Sequence, residues 1–400
     1  MPFLSAALDR IQPSSTLAVT SRVLTLKAAG RDIIGLGAGE PDFDTPDFVK
    51  EAAICAIRDG QTKYTVVDGT AACKEAIRAK FARDNGLDYG LDQITVNAGG
   101  KHTIFNALVA TLDPGDEVVV PAPYWVSYPD IVAFTGATPV VVDCPIDGGF
   151  KMTPAQLDAA ITPRTKWLIL NSPSNPTGAA YSRAELRGLA DVLLRHPHVW
   201  VLSDDMYEHI VYDDFDFATI AAVEPALYPR TLTVNGASKA YAMTGWRIGF
   251  AGGPASLIKA IAKLQSQSTS NPCSISMAAT VAALNGDQSF LIERNAAFRV
   301  RRDLVVAGLN AVPGLRCPVP EGAFYVYPDC AALISRTTPD GTVLTDDTAV
   351  ATYLLDSEGV AVVPGTGFGG SPAFRISYAT SDKLLAEACI RIARAVDRLR

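Results

Sequence analysis

A lysine and an arginine eight residues apart are the first side chains whose types and spacing could carry chemistry. Lys239 follows a buried-looking strand over residues 231–235, and Arg247 opens the next apolar run. A lysine shielded from water at the carboxyl end of a strand loses part of its preference for the charged form, so it can attack an aldehyde and form a Schiff base. A nearby arginine would bind a phosphate ester by paired hydrogen bonds. Taken alone, the two residues also fit a surface lysine and an unrelated helix-end arginine.

A carboxylate follows a second apolar run. Residues 199–202 are apolar, and they bring Asp204 to the end of a buried strand, with Tyr207 three positions later. An ionised carboxylate is costly there without a cation, and a protonated pyridine nitrogen would serve as that cation. Tyr207 could then hydrogen-bond a hydroxyl of the same ring. The alternative is that Asp204 caps a following helix.

Two loops after predicted strands offer further binding groups. Asn175 lies between Pro173 and Pro176, which stiffen the loop and hold the amide in place. Gly99 and Gly100 join a strand to a helix, where small residues let backbone N–H groups approach a phosphate. The second loop lacks the first glycine of the nucleotide-binding P-loop pattern, so it does not predict a kinase.

Three aromatic or charged residues are ambiguous when read one at a time. Trp125 could stack on a flat ring or belong to the core. Arg375 lies inside an apolar run, where a guanidinium requires a carboxylate from the substrate or the protein. Tyr64 shows no role by itself. His196 and His198 have no third ligand in view, so we predict no metal site.

The elements that must position these residues form an alternating pattern. Between about residues 90 and 250, short β-branched runs alternate with stretches of helical periodicity, which is typical of a mostly parallel sheet covered on both faces. Ligands bind at the carboxyl ends of such strands. We therefore predict an α/β fold with a mostly parallel, seven-stranded sheet and helices on both faces. Its strands correspond to residues 94–97, 117–121, 138–143, 166–171, 199–203, 231–235 and 247–252.

The last hundred residues follow a different pattern. A long charged helix over residues 289–309 leads into shorter segments, which predicts a smaller α+β domain. We assign residues 47–290 to a large domain that contains this sheet. Residues 1–46 and 291–400 are assigned to the small domain with its N-terminal segment. A chain of 400 residues is long enough for two domains.

Composition excludes several classes of function. Hydrophobic residues make up 48% of the chain and charged residues 19%, which excludes a disordered protein. The net charge of −7 argues against binding to nucleic acid or to anionic membranes. Seven scattered cysteines suit a reducing compartment. Without a signal-peptide core or an apolar run of about 18 residues, we expect a cytoplasmic protein with no membrane segment.

The ordered set of segments resembles the pyridoxal-phosphate-dependent aminotransferases of class I, which have fold type I. The resemblance covers nearly the whole chain and is closest to the bacterial aspartate aminotransferase branch. The segments that carry it are Ala38-Gly39-Glu40-Pro41-Asp42-Phe43, Pro123-Tyr124-Trp125, Asn175-Pro176-Thr177-Gly178, Ser203-Asp204-Asp205-Met206-Tyr207, Ser238-Lys239, Gly245-Trp246-Arg247 and Phe374-Arg375-Ile376-Ser377.

The resemblance implies a catalytic centre built around the cofactor ring. Lys239 would form the internal aldimine with pyridoxal 5'-phosphate and then move the substrate proton. Asp204 would pair with the pyridine nitrogen. Tyr207 and Asn175 would hold the ring oxygen, and Trp125 would stack on the ring.

The cofactor's phosphate has its own set of implied ligands. Gly99, Gly100 and Arg247 would bind it, with Lys101 in the same loop. Tyr64 would reach it from the neighbouring subunit, which implies a homodimer.

Substrate recognition is implied by the remaining positions. Arg375 and Asn175, with the backbone of Gly39, would take the α-carboxylate. Lys101 would meet the distal carboxylate of a dicarboxylic substrate, and Thr16 would line the same pocket. The resemblance implies transfer of an amino group between L-aspartate and 2-oxoglutarate, both small molecules.

Departures from the family pattern leave other activities open. Gln12 stands where many relatives carry a basic residue associated with prephenate, and Gly236 replaces a serine that binds phosphate in other branches. The alternatives are an aromatic or prephenate aminotransferase, or a pyridoxal-phosphate-dependent β-lyase on the same fold. A ligand-sensing regulator would need a DNA-binding domain, for which the chain leaves no room.

Overall fold

The computed structural model of the protein describes residues 3–400. Met1 and Pro2, which open the segment assigned to the small domain, lie outside the described residues. The strands within the described chain are β1 (Ile34–Gly35), β2 (Ile94–Asn97), β3 (Glu117–Ala122), β4 (Thr138–Asp143), β5 (Thr165–Asn171), β6 (Trp200–Asp204), β7 (Thr231–Gly236), β8 (Gly249–Gly252), β9 (Tyr325–Val326), β10 (Val360–Ala361), β11 (Val363–Pro364) and β12 (Phe374–Ser377).

A seven-stranded sheet forms the centre of the molecule, in the order β2-β8-β7-β6-β5-β3-β4. Neighbours from β7 through β4 pair in parallel, whereas β8 is antiparallel to both β7 and β2. The prediction of a mostly parallel, seven-stranded sheet is confirmed. In register, Asn171 lies beside Asp204, so the carboxyl ends of β5 and β6 lie next to each other.

Helices cover both faces of this sheet. Along β5, Trp167 and Ile169 pack into one apolar cluster, whereas Leu168 and Leu170 pack into another. Both faces are therefore buried, which explains why the strands read as continuous apolar runs. The helices are α1 (Ser15–Ala28), α2 (Asp47–Arg58), α3 (Ala71–Lys80), α4 (Gly100–Val109), α5 (Ser127–Thr135), α6 (Pro154–Ala160), α7 (Arg183–Arg195), α8 (Ile220–Val223), α9 (Ala255–Ser266), α10 (Ser274–Asn285), α11 (Phe290–Asn310), α12 (Asp347–Glu358) and α13 (Asp382–Asp397).

Two smaller sheets lie outside the central one. The strands β11, β12 and β9 pair antiparallel, and β1 pairs in parallel with β10. The second pairing joins the N-terminal segment to the C-terminal third of the chain, through Ile34 and Val360. Among residues 3–400, no helix combines the length and the apolar character needed to cross a membrane.

One predicted boundary is wrong in a way that affects the site. The sequence pattern opens the last strand of the sheet at Arg247, but β8 begins at Gly249. Arg247 instead follows a short 3-10 helix, Thr244–Trp246, and has a left-handed backbone with φ of 55°. This turn frees the guanidinium from the sheet so that it can reach toward the loop before α4.

Candidate active site

A cavity of about 440 Å³ lies at the carboxyl ends of the central strands, a volume suited to a small molecule. The segments that line it come from the central sheet, the N-terminal segment and the three-stranded sheet. The predicted residues that line it are Thr16, Gly39, Gly100, Lys101, Trp125, Asn175, Asp204, Tyr207, Lys239, Arg247 and Arg375.

Lys239 provides an amine at the floor of this cavity. The residue follows β7, and its Nζ donates a hydrogen bond of 2.5 Å to the carbonyl oxygen of Gly39. Burial, assisted by the positive charge of Arg375, lowers the pKa of Lys239 to about 8. A usable fraction of the amine is therefore uncharged near neutral pH, as a nucleophile requires.

Asp204 ends β6 as a buried carboxylate with an exposed fraction of 6%. Its Oδ2 accepts a hydrogen bond of 2.6 Å from the hydroxyl of Tyr128, and its Oδ1 accepts one of 3.3 Å from the N–H of Met206. Burial raises the pKa of Asp204 to about 6. Within residues 3–400, the positive charge of Lys239 lowers the pKa of Asp204 without forming a salt bridge with it, so a cationic ligand atom would complete its partners.

Arg375, like Asp204, is a buried charged residue that lines the cavity. Its Nη1 donates to Oδ1 of Asn175 at 2.8 Å, and its Nη2 donates to the carbonyl of Gly37 at 2.6 Å. Its buried Nε has no acceptor in the described chain. Burial lowers the pKa of Arg375. The guanidinium lines the cavity without a carboxylate partner, which fits a ligand carboxylate.

The loop before α4 forms a cradle for an anion. Gly99 has φ of +95°, and a Cβ there would lie 2.1 Å from Nη2 of Arg247. A Cβ at Gly249 would lie 2.2 Å from the N of Gly100. Glycine is therefore required for the backbone to approach this closely. The first N–H groups of α4 lack acceptors within the helix, so together with Arg247 they suit a phosphate.

Aromatic and polar side chains form the remaining walls. The Nζ of Lys101 lies 4.9 Å from the ring centroid of Trp125. Partial burial and the charge of Arg247 lower the pKa of Lys101. Thr16, in the first turn of α1, lines the same cavity. A cation, a flat indole and a hydroxyl thus line the same cavity.

Two predicted residues do not line the cavity in the single chain. Gly99 directly precedes Gly100 in the loop before α4 and lies close to the guanidinium of Arg247. Tyr64 is 89% exposed, in the loop between α2 and α3.

Three neighbours of the predicted residues were not identified from the sequence. The Tyr128 hydroxyl contacts Asp204, and the hydroxyls of Tyr207 and Tyr325 lie 2.9 Å apart. Oδ1 of Asn171 accepts a hydrogen bond from the N–H of Asn175 at 2.9 Å. Of these three residues, only Asn171 could have been identified from the local sequence, because it ends an apolar run. The two tyrosines approach from segments 76 and 118 residues away.

The chemistry of these groups fits pyridoxal phosphate. A nucleophilic amine matches its aldehyde, a buried carboxylate matches its ring nitrogen, and the glycine cradle matches its phosphate. Within the described residues, neither the carboxylate of Asp204 nor the guanidinium of Arg375 forms a salt bridge, and the Nε of Arg375 has no acceptor. A zwitterionic substrate bound next to a cationic ring would satisfy both.

Comparisons with known proteins agree with this geometry. The family described as aminotransferase class I and II matches residues 31–392. The chain is 63% identical to an aspartate/prephenate aminotransferase of Cereibacter sphaeroides, over 98% of each protein. Its structure is similar to that of the aspartate aminotransferase of Rhizobium meliloti, with a TM-score of 0.97, 59% identity and full coverage of both chains. The structure of the aspartate aminotransferase of Thermus thermophilus with maleate is also similar, with a TM-score of 0.92 and 44% identity. This match covers 99% of this chain and 100% of that one.

These similarities extend over the full catalytic fold rather than over one motif. They confirm the family and the fold that the ordered motifs predicted. The protein belongs to the class I and II aminotransferases and is a transaminase that uses pyridoxal phosphate as its cofactor.

Proposed function

We propose that this transaminase moves the amino group of L-aspartate to 2-oxoglutarate, and that the residues predicted from the sequence carry the reaction. The observation that supports it most is the pair of cations in one cavity. Arg375 has a free Nε for the α-carboxylate, and Lys101 is available for a second carboxylate. The structure of the Thermus thermophilus enzyme was determined with maleate, a dicarboxylate, and a relative from Rhizobium meliloti that is named aspartate aminotransferase is 60% identical to this chain.

In this proposal each cofactor group has a protein partner. Lys239 would hold the aldehyde carbon, and Asp204 would pair with the ring nitrogen. Tyr207 and Asn175 would bind the ring oxygen, while Trp125 would stack on the ring. Gly99, Gly100 and Arg247 would hold the phosphate, with Lys101 in the same loop.

The reaction requires a proton to leave the substrate Cα. Bound pyridoxal phosphate supplies an electron-poor ring that accepts the electron pair left on that carbon. The carboxylate of Asp204 would keep the ring nitrogen protonated, because a buried carboxylate stabilises an adjacent cation. The Nζ of Lys239 would accept the proton that leaves Cα. Arg375, Asn175 and the Gly39 backbone hold the α-carboxylate, while Lys101 and Thr16 contact the substrate side chain.

The assembly and the domain arrangement form part of the same proposal. We propose a homodimer in which the partner subunit's Tyr64 reaches the phosphate, since Tyr64 of one chain is exposed and outside its own cavity. A large domain of residues 47–290 would bind the cofactor, and the small domain would carry Arg375.

A cytoplasmic location is part of the proposal as well. It is supported by the seven cysteines, which are all free.

A prephenate or aromatic activity is the second candidate, and the name of the Cereibacter sphaeroides relative favours it. Gln12 argues against it, because this position lacks the basic side chain of many relatives. Gln12 lines a cavity next to the active site, and its backbone N–H donates to Oδ1 of Asp130 at 3.2 Å.

The experiment follows each half-reaction by absorbance. Aspartate should convert the bound aldehyde form to the amine form, and 2-oxoglutarate should restore it. Phenylalanine as donor and prephenate as acceptor are the comparison substrates. Faster conversion with phenylalanine than with aspartate would overturn the proposed donor, and faster restoration with prephenate than with 2-oxoglutarate would overturn the proposed acceptor. Release of ammonia without an acceptor would indicate a β-lyase.

A further inference from the structure

Two buried tyrosine hydroxyls meet beside the cavity. Tyr207 is in the turn after β6, and Tyr325 is in β9 of the three-stranded sheet. Their hydroxyl oxygens lie 2.9 Å apart, and the exposed fractions of the two residues are 4% and 0%. Both residues line the cavity. Because the two buried hydroxyls lie at hydrogen-bond distance, each constrains the position of the other's proton.

A proton count decides which hydroxyl donates. A tyrosine hydroxyl carries one proton, so it can donate only one hydrogen bond while still accepting another. When Tyr207 donates to the cofactor's ring oxygen, its proton is no longer available for Tyr325. Tyr325 must then donate to Tyr207. The order of donation is therefore Tyr325 to Tyr207 to the ring oxygen, and hydrogen bonds in such a chain polarise and strengthen one another.

The surroundings of Tyr325 hold its hydroxyl in place. In register, Tyr325 pairs with Ser377 of β12, two residues after Arg375. The guanidinium carbon of Arg375 lies 4.6 Å from the ring centroid of Tyr325. A Cβ at Gly39 would lie 3.0 Å from the Tyr325 hydroxyl, so the backbone limits its movement on the other side. The ring supports the carboxylate-binding arginine while the hydroxyl faces Tyr207.

We propose that Tyr325 is a positioning residue that fixes the Tyr207 hydroxyl as a donor to the ring oxygen of the cofactor. This rests on the proposed role of Tyr207. A donor to the ring oxygen stabilises the state in which the nitrogen joining Lys239 to the cofactor has lost its proton, because the ring oxygen then bears its negative charge alone. Removing the Tyr325 hydroxyl should therefore raise the pKa of that nitrogen.

Other charged groups face the same pair, and all of them remain in a Tyr325→Phe variant. Arg375 lies over the ring of Tyr325, and Nζ of Lys239 lies 5.9 Å from the ring centroid of Tyr207. Asp204 and Glu40 contribute negative charge. Since the variant leaves these charges unchanged, a change in the nitrogen's pKa reports the missing hydroxyl.

The test is a pH titration of the absorbance of the holoenzyme. Tyr207→Phe should raise the nitrogen's pKa by about 1, and Tyr325→Phe should raise it by about 0.3 to 0.5. In the Tyr207→Phe background, adding Tyr325→Phe should produce no further rise. The KM for aspartate should change less than kcat in Tyr325→Phe, because phenylalanine keeps the ring under Arg375.

Tyr378→Phe is the matched control. Its hydroxyl also meets a tyrosine, Tyr212, at 3.3 Å, in the same apolar cluster but outside the cavity. This variant loses a buried hydroxyl and should leave the nitrogen's pKa unchanged. Thermal unfolding of both variants measures the purely structural cost.

The outcomes separate this inference from the proposed function. An unchanged pKa in Tyr207→Phe would overturn the role of Tyr207 itself. A raised pKa in Tyr207→Phe with no rise in Tyr325→Phe would overturn only the positioning role of Tyr325. Equal rises in Tyr325→Phe and Tyr378→Phe, or an additive rise in the double variant, would also contradict it, because the effect would then not pass through Tyr207.

Discussion

The hydroxyl of Tyr128 donates a 2.6 Å hydrogen bond to Oδ2 of Asp204 and is the only side-chain donor to that carboxylate within the described residues. This hydrogen bond and the one from the N–H of Met206 do not offset the burial of the carboxylate, and the pKa of Asp204 is raised to about 6. The cofactor-free protein therefore keeps an acid in a position that disfavours its charged form. This cost to folding is relieved when a cationic ring nitrogen binds.

We predict that Asp204→Asn stabilises the cofactor-free protein at pH 7 while abolishing transamination. Below about pH 4 the carboxyl is protonated in both the folded and the unfolded chain, so its burial costs little. Between about pH 4 and pH 6 the unfolded chain releases the proton first, and the free energy of unfolding falls. The variant should gain about 1 to 3 kcal/mol at pH 7 and much less at pH 4.

Urea unfolding at the two pH values measures this effect. Asp205→Asn is the control, because burial also raises the pKa of Asp205, to about 7, although it lies outside the cavity. It should stabilise the protein and preserve cofactor absorbance. A gain for Asp204→Asn that is equal at pH 4 and pH 7 would contradict the titration argument.

Replacement of Arg375 should affect all amino-acid substrates alike, because every one of them carries an α-carboxylate. Arg375→Ala should lower kcat/KM on the order of 10³-fold, and Arg375→Lys should recover only part of the loss, since lysine cannot make a paired contact. Steady-state kinetics with aspartate and phenylalanine measure the effect. Cofactor absorbance should persist. A loss confined to aspartate would place Arg375 on the distal carboxylate instead.

Lys101 should discriminate between substrate classes. Lys101→Gln should lower kcat/KM for aspartate and glutamate by about 10- to 100-fold, because a charged partner of the distal carboxylate is lost. Phenylalanine should be affected little, since it has no second carboxylate. Competition between aspartate and phenylalanine in one reaction mixture gives the ratio directly. Equal losses for both substrates would remove the specificity role and favour the phosphate as the partner of Lys101.

A buried ion pair supports the turn that carries Tyr207. Lys80 contacts Glu208, and Asn85 bridges them, with Oδ1 2.6 Å from Nζ of Lys80 and Nδ2 2.6 Å from Oε2 of Glu208. Burial alone would raise the pKa of Glu208, but the charge of Lys80 lowers it. Asp84 and His209 also approach this carboxylate, and the ammonium of Lys80 supplies the positive charge there.

Removing one partner of this pair should cost more than removing both. Lys80→Met leaves an uncompensated buried carboxylate and should destabilise the protein by about 3 to 5 kcal/mol. The double variant Lys80→Met, Glu208→Leu should be more stable than the single one. Chemical unfolding of the single and double variants measures the coupling. If the changes in the free energy of unfolding caused by the two substitutions simply added up, the two charges would not stabilise each other.

The sequence predicted those site residues that local patterns mark. Asp204 and Lys239 follow apolar runs, and a parallel sheet places such positions at one edge. Arg375 was identified because a charge inside an apolar strand demands a partner. The prediction that Arg247 opens strand β8 was wrong, because hydrophobic periodicity does not indicate a left-handed turn.

Contacts between distant segments could not be predicted in the same way. The hydroxyls of Tyr128 and Tyr325 reach the site only after the chain has folded, and neither follows a strand as a polar end residue. Their positions depend on side-chain packing across 76 and 118 residues of sequence. The role of Tyr64 stays a prediction that depends on a second subunit.

The central claim is that Lys239 holds the cofactor, and borohydride reduction of the holoenzyme followed by peptide mapping tests it most directly. Reduction makes the lysine–cofactor bond permanent, and trypsin should then fail to cleave after Lys239. We predict a single peptide spanning residues 231–247 that carries the mass of the reduced cofactor. The same mass on another lysine, or on none, would contradict the account.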